Sequence, residues 1–382
     1  MARRALFVTS SYPRWPGDAS GAFVHRLATD LGPLGWVVEV LAPMAPGLAT
    51  DATLDGVAVH RFRYSWPPRT QRLAYDGGML SNLRARRWTA LTVPGLLVGE
   101  RLAVSSRCDH VDVVHAHWVV PQGLALVGLR KPLVVSVHGS DINRVTGAGR
   151  LKALALQSAD AITANSDTSA RRVERLIGRR PTVVPMGVEL DPPVDDEMVA
   201  SLRAAVGREL VVGVVARLVE EKGVADLVEA VAGLDQVGLL VVGDGPERAA
   251  LVEQAASLGV QAVFAGAVAP GQVASHLAAC DVVAAPSRQP EGQGLALLEA
   301  MAVGRAVVAS TAGGQAESVV DGESGLLVPP DDVSSLRRAL ERLLGDAALR
   351  DRLGHLGRLA VAERFSRRAC AQAMAKVYET VA

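Results

Sequence analysis

Five short runs in the second half of the chain consist almost wholly of β-branched and small apolar residues. They are Leu210-Val-Val-Gly-Val-Val, Val237-Gly-Leu-Leu-Val-Val-Gly, Ala262-Val-Phe-Ala-Gly, Asp281-Val-Val-Ala-Ala-Pro and Ala306-Val-Val-Ala-Ser. A strand without polar alternation is covered on both faces, as in a parallel sheet packed between helices. Helix-forming stretches separate the runs, so the series predicts a doubly wound α/β domain. The first half repeats the pattern with Ala5-Leu-Phe-Val-Thr, Trp36-Val-Val-Glu-Val-Leu, a run from Val111 to Trp118, Leu133-Val-Val-Ser-Val and Ala161-Ile-Thr-Ala. Two such domains suit a chain of 382 residues. The expected division is 1–188, an acidic, proline-containing linker 189–205, a second domain 206–365, and a C-terminal helix 366–382 that packs back on the first domain. Ala369, Ala373, Met374, Val377 and Val381 form the apolar face of that helix.

Several classes fall away on composition. The cysteines, Cys108, Cys280 and Cys370, are odd in number and lack metal-ligand spacing, as suits a reducing compartment. The longest charge-free segment, Gln254 to Cys280, is interrupted by Pro270, Gly271 and His276 and does not read as a membrane span. Arg3 and Arg4 precede only a short apolar run that suits a first strand rather than a secretory leader. A cytoplasmic protein is expected. The net charge of zero hides a division: residues 1–190 carry 23 Lys+Arg against 14 Asp+Glu, and residues 191–382 carry 17 against 26. Halves of opposite sign point to different partners, or to domains that attract each other. The arginines of residues 60–110 are interleaved with aromatics. Arg84-Ala-Arg-Arg-Trp88 leads into an apolar run, Leu91 to Val98, that suits either peripheral contact with an anionic membrane or a solvated face over core helices.

The chemistry-bearing stretch is Pro286-Ser-Arg-Gln-Pro-Glu-Gly-Gln-Gly-Leu-Ala-Leu-Leu-Glu-Ala-Met. Gly292 and Gly294 bare the backbone just before a helix that starts near Leu295, and the free N–H groups of a helix start attract an anion. Glu291 before the turn and Glu299 one helical turn in would repel a phosphate but accept hydrogen bonds from neutral hydroxyls. A ligand with hydroxyls at both ends and phosphate between them is a nucleotide sugar. The same residues also suit an ordinary strand-to-helix junction with a solvated glutamate.

Other candidates sit where strands end, the edge at which open α/β sheets bind ligands. Gly21 closes the loop after the first strand. His138, Gly139 and Asp141 follow Leu133–Val137, Arg217 and Lys222 follow Leu210–Val215, Gly243 follows Val237–Val242, and Gly266 ends Ala262–Gly266. His115 and His117 have no third ligand at metal spacing and read as core or hydrogen-bonded residues. G-x-G-x-x-G is absent, which argues against a dinucleotide cofactor, and nothing indicates nucleic acid.

In order along the chain, Ser20-Gly21, His138-Gly-Ser-Asp141, Pro185-Met-Gly-Val188, Arg217 with Lys222-Gly223, Gly243-Asp-Gly-Pro246, Phe264-Ala-Gly266, Glu291 with Glu299, and Gly313-Gly-Gln-Ala-Glu317 resemble the retaining glycosyltransferases of family four. That family has the GT-B fold, two Rossmann-like domains facing a cleft. The resemblance implies transfer of a sugar from a nucleotide-diphosphate donor to a hydroxyl acceptor, free or lipid-linked, in glycan, glycolipid or natural-product biosynthesis. Arg217 and Lys222 would grip the diphosphate, Glu291 the transferred sugar and Glu299 the ribose. His138 would lie beside the anomeric centre, with Gly21, Gly243, Gly266, Gly292, Gly294 and Leu295 at the donor and Asp141 at the acceptor. Asp-x-Asp occurs nowhere in the chain, in keeping with metal-free chemistry and no cofactor. The pattern departs at Gln293, where the family usually has an aromatic, and at Ser20-Gly21, usually Gly-Gly. A nucleotide-sugar epimerase, a disaccharide phosphorylase, a glycosidase using the two glutamates, and a non-catalytic sugar-nucleotide module are the competing readings.

Overall fold

A computed structural model of the chain describes residues 2–75, 78–143 and 148–382. The chain divides into two compact units, Met1–Gly187 with Arg367–Ala382, and Val188–Ser366.

The first unit carries the strands β1 (Arg3–Val8), β2 (Trp36–Pro43), β3 (Asp51–Leu54), β4 (Val57–Phe62), β5 (Val113–His117), β6 (Leu133–Val137), β7 (Ala161–Ala164) and β8 (Thr182–Val183). They form one sheet in the order β3-β4-β2-β1-β5-β6-β7-β8, parallel except where β3 runs against β4. Alternation along β1 shows why its apolar run is unbroken. Leu6 and Val8 join a core with Leu41, Val114, Leu96 and Leu126, whereas Ala5 and Phe7 join another with Val38, Val113, Val24 and Leu31. Each side chain is buried, on one side of the sheet or the other.

The helix Arg367–Glu379 belongs to this unit. It buries Met374, Val377 and Tyr378 beside Trp36 and the helix Ala22–Leu31, and Arg367 grips Asp30 through two hydrogen bonds of 3.0 and 2.6 Å. The second unit carries β9 (Leu210–Val215), β10 (Val237–Val242), β11 (Ala262–Gly266), β12 (Val282–Ala285), β13 (Ala306–Ser310) and β14 (Leu326–Val328). Their order is β11-β10-β9-β12-β13-β14, with every pair parallel.

Two features differ from the sequence reading. The hairpin β3–β4 was not anticipated, although its turn, Asp55-Gly56, is a Type I′ pair with φ of 46° and 80° at its two central residues. The segment read as linker contains a helix, Asp196–Val206, within the second unit. The acidic run there caps that helix: the Asp195 carboxylate accepts from the Met198 N–H at 3.0 Å, and Asp196 and Glu197 complement the dipole in the first turn.

The core of the first unit includes a carboxyl group. Glu100, on the helix Val93–Ser105, is fully buried and accepts one hydrogen bond, 3.2 Å from Gln122 Nε2. Burial pushes its carboxyl up to about 8. In the unfolded chain the same group would titrate near ~4.3. Between those values the unfolded chain has released a proton that the folded chain keeps, so stability falls as pH rises from about 4 to about 8. Glu100→Gln is expected to flatten the decline of Tm over that window. Parallel Tm–pH curves for the two proteins would overturn the assignment.

Candidate active site

In the second sheet β9 and β12 are neighbours whose onward connections leave toward opposite edges, which makes their carboxyl ends the topological switch point. The loop after β9 carries Arg217, exposed, and Lys222, partly buried; the loop after β12 runs from Pro286 to Gly294. The two loops touch backbone to backbone. A Cβ on Gly223, whose φ is +64°, would lie 2.1 Å from the Pro286 carbonyl oxygen. The Glu221 carbonyl accepts from the Arg288 and Gln289 N–H groups at 2.9 and 3.3 Å. Arg288 then closes a two-pronged ion pair on Asp226, at 2.8 and 2.5 Å.

This contact brings together residues 69 positions apart: Lys222 Nζ donates to Glu291 Oε1, which also accepts from Ser287 Oγ at 2.8 Å. The Glu291 backbone is fixed from the loop after β13. Its N–H donates to Ala312 O at 3.1 Å and its carbonyl accepts from Gly314 N–H at 2.9 Å. Gln315 Nε2 anchors that loop on Ser310 Oγ at 2.7 Å. Gly292 follows in the turn, and Gly294, with φ of +79°, is the left-handed N-cap of the helix Leu295–Ala302. A Cβ there would lie 2.9 Å from Gln315 Cβ. Leu295 opens the helix with its N–H free of intrahelical partners. Glu299 lies one turn in and is partly buried. Gly243, at the end of β10, tolerates no side chain, since a Cβ would lie 1.9 Å from Ala216 O, and its N–H donates to Gly266 O at 2.8 Å.

The remaining candidates lie in the first unit. Gly21 caps the helix Ala22–Leu31 in the left-handed region, under the Ser11 carbonyl. His138 follows β6 and its Nε2 pairs with His117 Nδ1 at 3.1 Å, the two rings lying 7° from parallel. Phe23 and Trp118 stand against the His138 ring with centroids 4.9 and 5.0 Å away. Burial pushes His138 down to about 3 and His117 well below its ordinary value. Both imidazoles are therefore neutral at physiological pH, so neither supplies a cation for phosphate.

Asp141, expected at the acceptor, commits its two oxygens to the backbone N–H groups of His138 and Val119, at 3.1 and 3.0 Å. In this structure it shapes the loop that carries His138. His115 is buried between Tyr378 Oη and Ser136 Oγ, each at 2.6 Å. Among the described residues no group of three His, Cys, Asp or Glu could hold a metal ion.

The model of glycosyl transferases group 1 matches residues 201–359, and that of glycosyltransferase family 4 matches residues 20–192. A phosphatidyl-myo-inositol mannosyltransferase of Mycobacterium leprae is 31% identical over 96% of this chain and 94% of its own length. The chain belongs to glycosyltransferase family four. Its fold is that of solved GT-B enzymes. Sucrose-phosphate synthase from Thermosynechococcus elongatus aligns over 99% of both chains with a TM-score of 0.82 at 23% identity. Anabaena HepE, solved in complex with UDP-glucose, aligns over 99% of both with a TM-score of 0.77 at 23% identity.

The sequence of this family-four glycosyltransferase hid three parts of the site. Ser287 and Arg288 lay beside the glutamate motif, and Asp226 62 positions before Arg288, with nothing to mark them as partners. His117 was visible, but its pairing with His138 depends on strand register. The Gly223 contact yields a test. Gly223→Ala combines a left-handed φ with a backbone clash, whereas Gly259→Ala has the same kind of φ, +67°, and nothing within 4 Å. Gly259→Ala should cost about 1–2 kcal/mol from the left-handed backbone alone. Gly223→Ala should cost more and lose amide protection in both 220–226 and 286–291. Equal effects of the two variants on Tm and exchange would contradict the close approach.

Proposed function

We propose that the enzyme moves a hexose from a nucleotide-diphosphate sugar to a hydroxyl acceptor with retention at the anomeric carbon and without a metal. The observation that carries this reading is the Lys222–Glu291–Ser287 cluster beside the start of the helix Leu295–Ala302. A cation and a carboxylate paired in the same place exchange partners when the donor binds. The diphosphate takes Lys222, Arg217 and the helix N–H groups, and sugar hydroxyls take Glu291. Glu299, one turn further, takes the ribose hydroxyls. As the glycosidic C–O bond breaks, charge gathers on the departing phosphate, where preorganised cations lower the barrier. The acceptor oxygen bonds to the same face of the anomeric carbon and its proton passes to the leaving phosphate. Family membership and the likeness to a fold solved with UDP-glucose support this reading.

Arg217→Ala and Lys222→Ala should each cost about 2–4 kcal/mol of transition-state stabilisation, the scale of one preorganised donor. Glu291→Gln should lower turnover more than nucleotide affinity, and Glu299→Gln should weaken the nucleoside diphosphate itself. All rates should persist in excess chelator. Rates within threefold of wild type for both cation variants, or activity lost to chelator and restored by Mn²⁺, would overturn this assignment.

A hydroxyl acceptor on the first unit fits a lipid-borne substrate, and the relative from Mycobacterium leprae is named for phosphatidyl-myo-inositol. Arg84, Arg86 and Arg87 are exposed, next to Trp88 at 43%, Leu91 at 84%, Val98 at 59% and Leu102 at 65% exposure. No helix in the described residues is long and apolar enough to cross a membrane. A surface of this kind instead rests on a bilayer, each arginine adding ~1 kcal/mol at an anionic surface. In flotation at low salt the wild type should rise with anionic vesicles, and the triple variant Arg84/Arg86/Arg87→Glu should stay behind. Equal flotation of both proteins, or none, would sink the membrane reading.

A further inference from the structure

In the first sheet β1 and β5 are neighbours whose onward connections leave toward opposite edges, so the loop after β1, Ser10 to Gly21, stands at that sheet's switch point. The loop folds back on its own end. A Cβ on Gly21 would stand 2.1 Å from Ser11 O and 3.0 Å from Tyr12 N. One turn along the helix Ala22–Leu31, His25 holds the same stretch through its side chain. Its Nδ1 pairs with Tyr12 Oη at 2.6 Å, the rings lying edge to face with centroids 5.3 Å apart. Its Nε2 pairs at 2.8 Å with Oδ2 of Asp55, the first residue of the hairpin turn between β3 and β4. Arg61, on β4, donates to Pro13 O at 3.2 Å. The hairpin therefore holds two successive loop residues, Tyr12 through His25 and Pro13 directly.

The order of the three groups fixes their protons. A carboxylate only accepts, so Asp55 requires a proton on His25 Nε2. In the neutral ring Nδ1 is then an acceptor, and the hydroxyl of Tyr12 is its donor. Tyr12 is fully buried, and burial, reinforced by the Asp55 charge, pushes its hydroxyl above the usual range, so it keeps the proton it donates. A loop tied in this way presents the backbone over Gly21 in one arrangement. Untied, it samples others, and the apparent affinity of a ligand that needs the tied form falls with the fraction that holds it. We propose that His25, oriented by Asp55, is a positioning residue that pins Tyr12 and so sets the loop over Gly21 for the donor. The proposal rests on the glycosyl-transfer reading, in which the ligand at this loop is the nucleotide sugar. His25 acts through Tyr12 rather than on the substrate.

The test uses the full chain. His25→Asn keeps an acceptor near the position of Nδ1, whereas His25→Gln keeps a donor near Nε2 and loses the acceptor for Tyr12. ¹⁵N-histidine spectra, assigned by the ring lost in His25→Asn, should show the Nε2–H tautomer at His25 in the wild type. UDP-glucose and GDP-mannose are titrated by calorimetry, and donor hydrolysis gives turnover. For the probe that binds, His25→Gln and Tyr12→Phe should raise Kd about fivefold or more and leave turnover at saturating donor within about twofold, because bound donor reorders the loop. Amide exchange within residues 10–21 should quicken in both. His25→Asn should restore exchange and affinity close to wild type. Wild-type Kd or exchange in His25→Gln and Tyr12→Phe, equal losses in His25→Asn and His25→Gln, or an Nδ1–H tautomer would overturn the proposal. A fall in turnover without a change in Kd would overturn it too. If the wild type binds neither nucleotide sugar, the glycosyl-transfer reading fails and the proposal with it. If the wild type binds and the variants match it, the proposal fails alone.

Discussion

The ion pair of Arg288 with Asp226 holds together the part of the second unit on which the candidate chemistry depends. Arg288 sits on the loop after β12 and Asp226 in the first turn of the helix Val224–Val231 that follows the loop after β9, and parallel strands deliver their carboxyl ends to a single edge. Adjacency alone would leave two mobile loops. The two-pronged contact, with Asp226 only 10% exposed at its side chain, fixes the Pro286 loop against Gly223, and that fixes where Glu291 stands relative to Lys222. The glycines are needed because the loops meet through backbone, at distances no side chain could occupy.

Much of this was legible in the sequence. Unbroken Val, Leu and Ala runs can only be buried on both faces, so the doubly wound architecture followed from pattern, and the motifs at strand ends gave the candidate residues. The hairpin turn Asp55-Gly56 was equally legible, yet the run of arginines after it drew the reading toward surface charge. The acidic segment before β9 looked like a linker because acids and prolines mark loops, and here the acids start a helix. What no local pattern contains is pairing across sequence distance. Lys222 with Glu291, and His117 with His138, meet only once strand order and register are set.

The polar groups at the strand ends of the two units are held by different means. In the second unit charges neutralise one another: Lys222 faces Glu291, and Arg288 faces Asp226. Such pairs are poised to exchange partners with a charged ligand, since the cation and the carboxylate each regain a partner when phosphate and hydroxyls arrive together. In the first unit the sheet face beneath the helices Ala22–Leu31 and Arg367–Glu379 carries polar residues at every second position, His115 and His117 on β5, Ser136 and then His138 on and after β6, Thr163 and then Asn165 on and after β7. Those at the inner positions satisfy each other, His115 with Ser136 and Ser136 with Thr163 at 2.5 Å. At the carboxyl edge His117 and His138 pair with each other, while His117 Nε2, His138 Nδ1 and both amide atoms of Asn165 have no partner within the protein.

That difference decides where the positive charge of the first half can act. Residues 1–190 carry nine more cationic than anionic side chains, and Arg26 among them lines the same cavity as His138. The histidines there are kept neutral by burial, and the nearby Arg367 is consumed by Asp30. The excess also includes the exposed Arg84, Arg86 and Arg87, outside the His138 cavity. Exposed positive charge and buried neutral imidazoles are therefore separate features of one unit. Exposed arginines attract anionic partners over a distance set by ionic strength, whereas buried neutral imidazoles act only on what touches them.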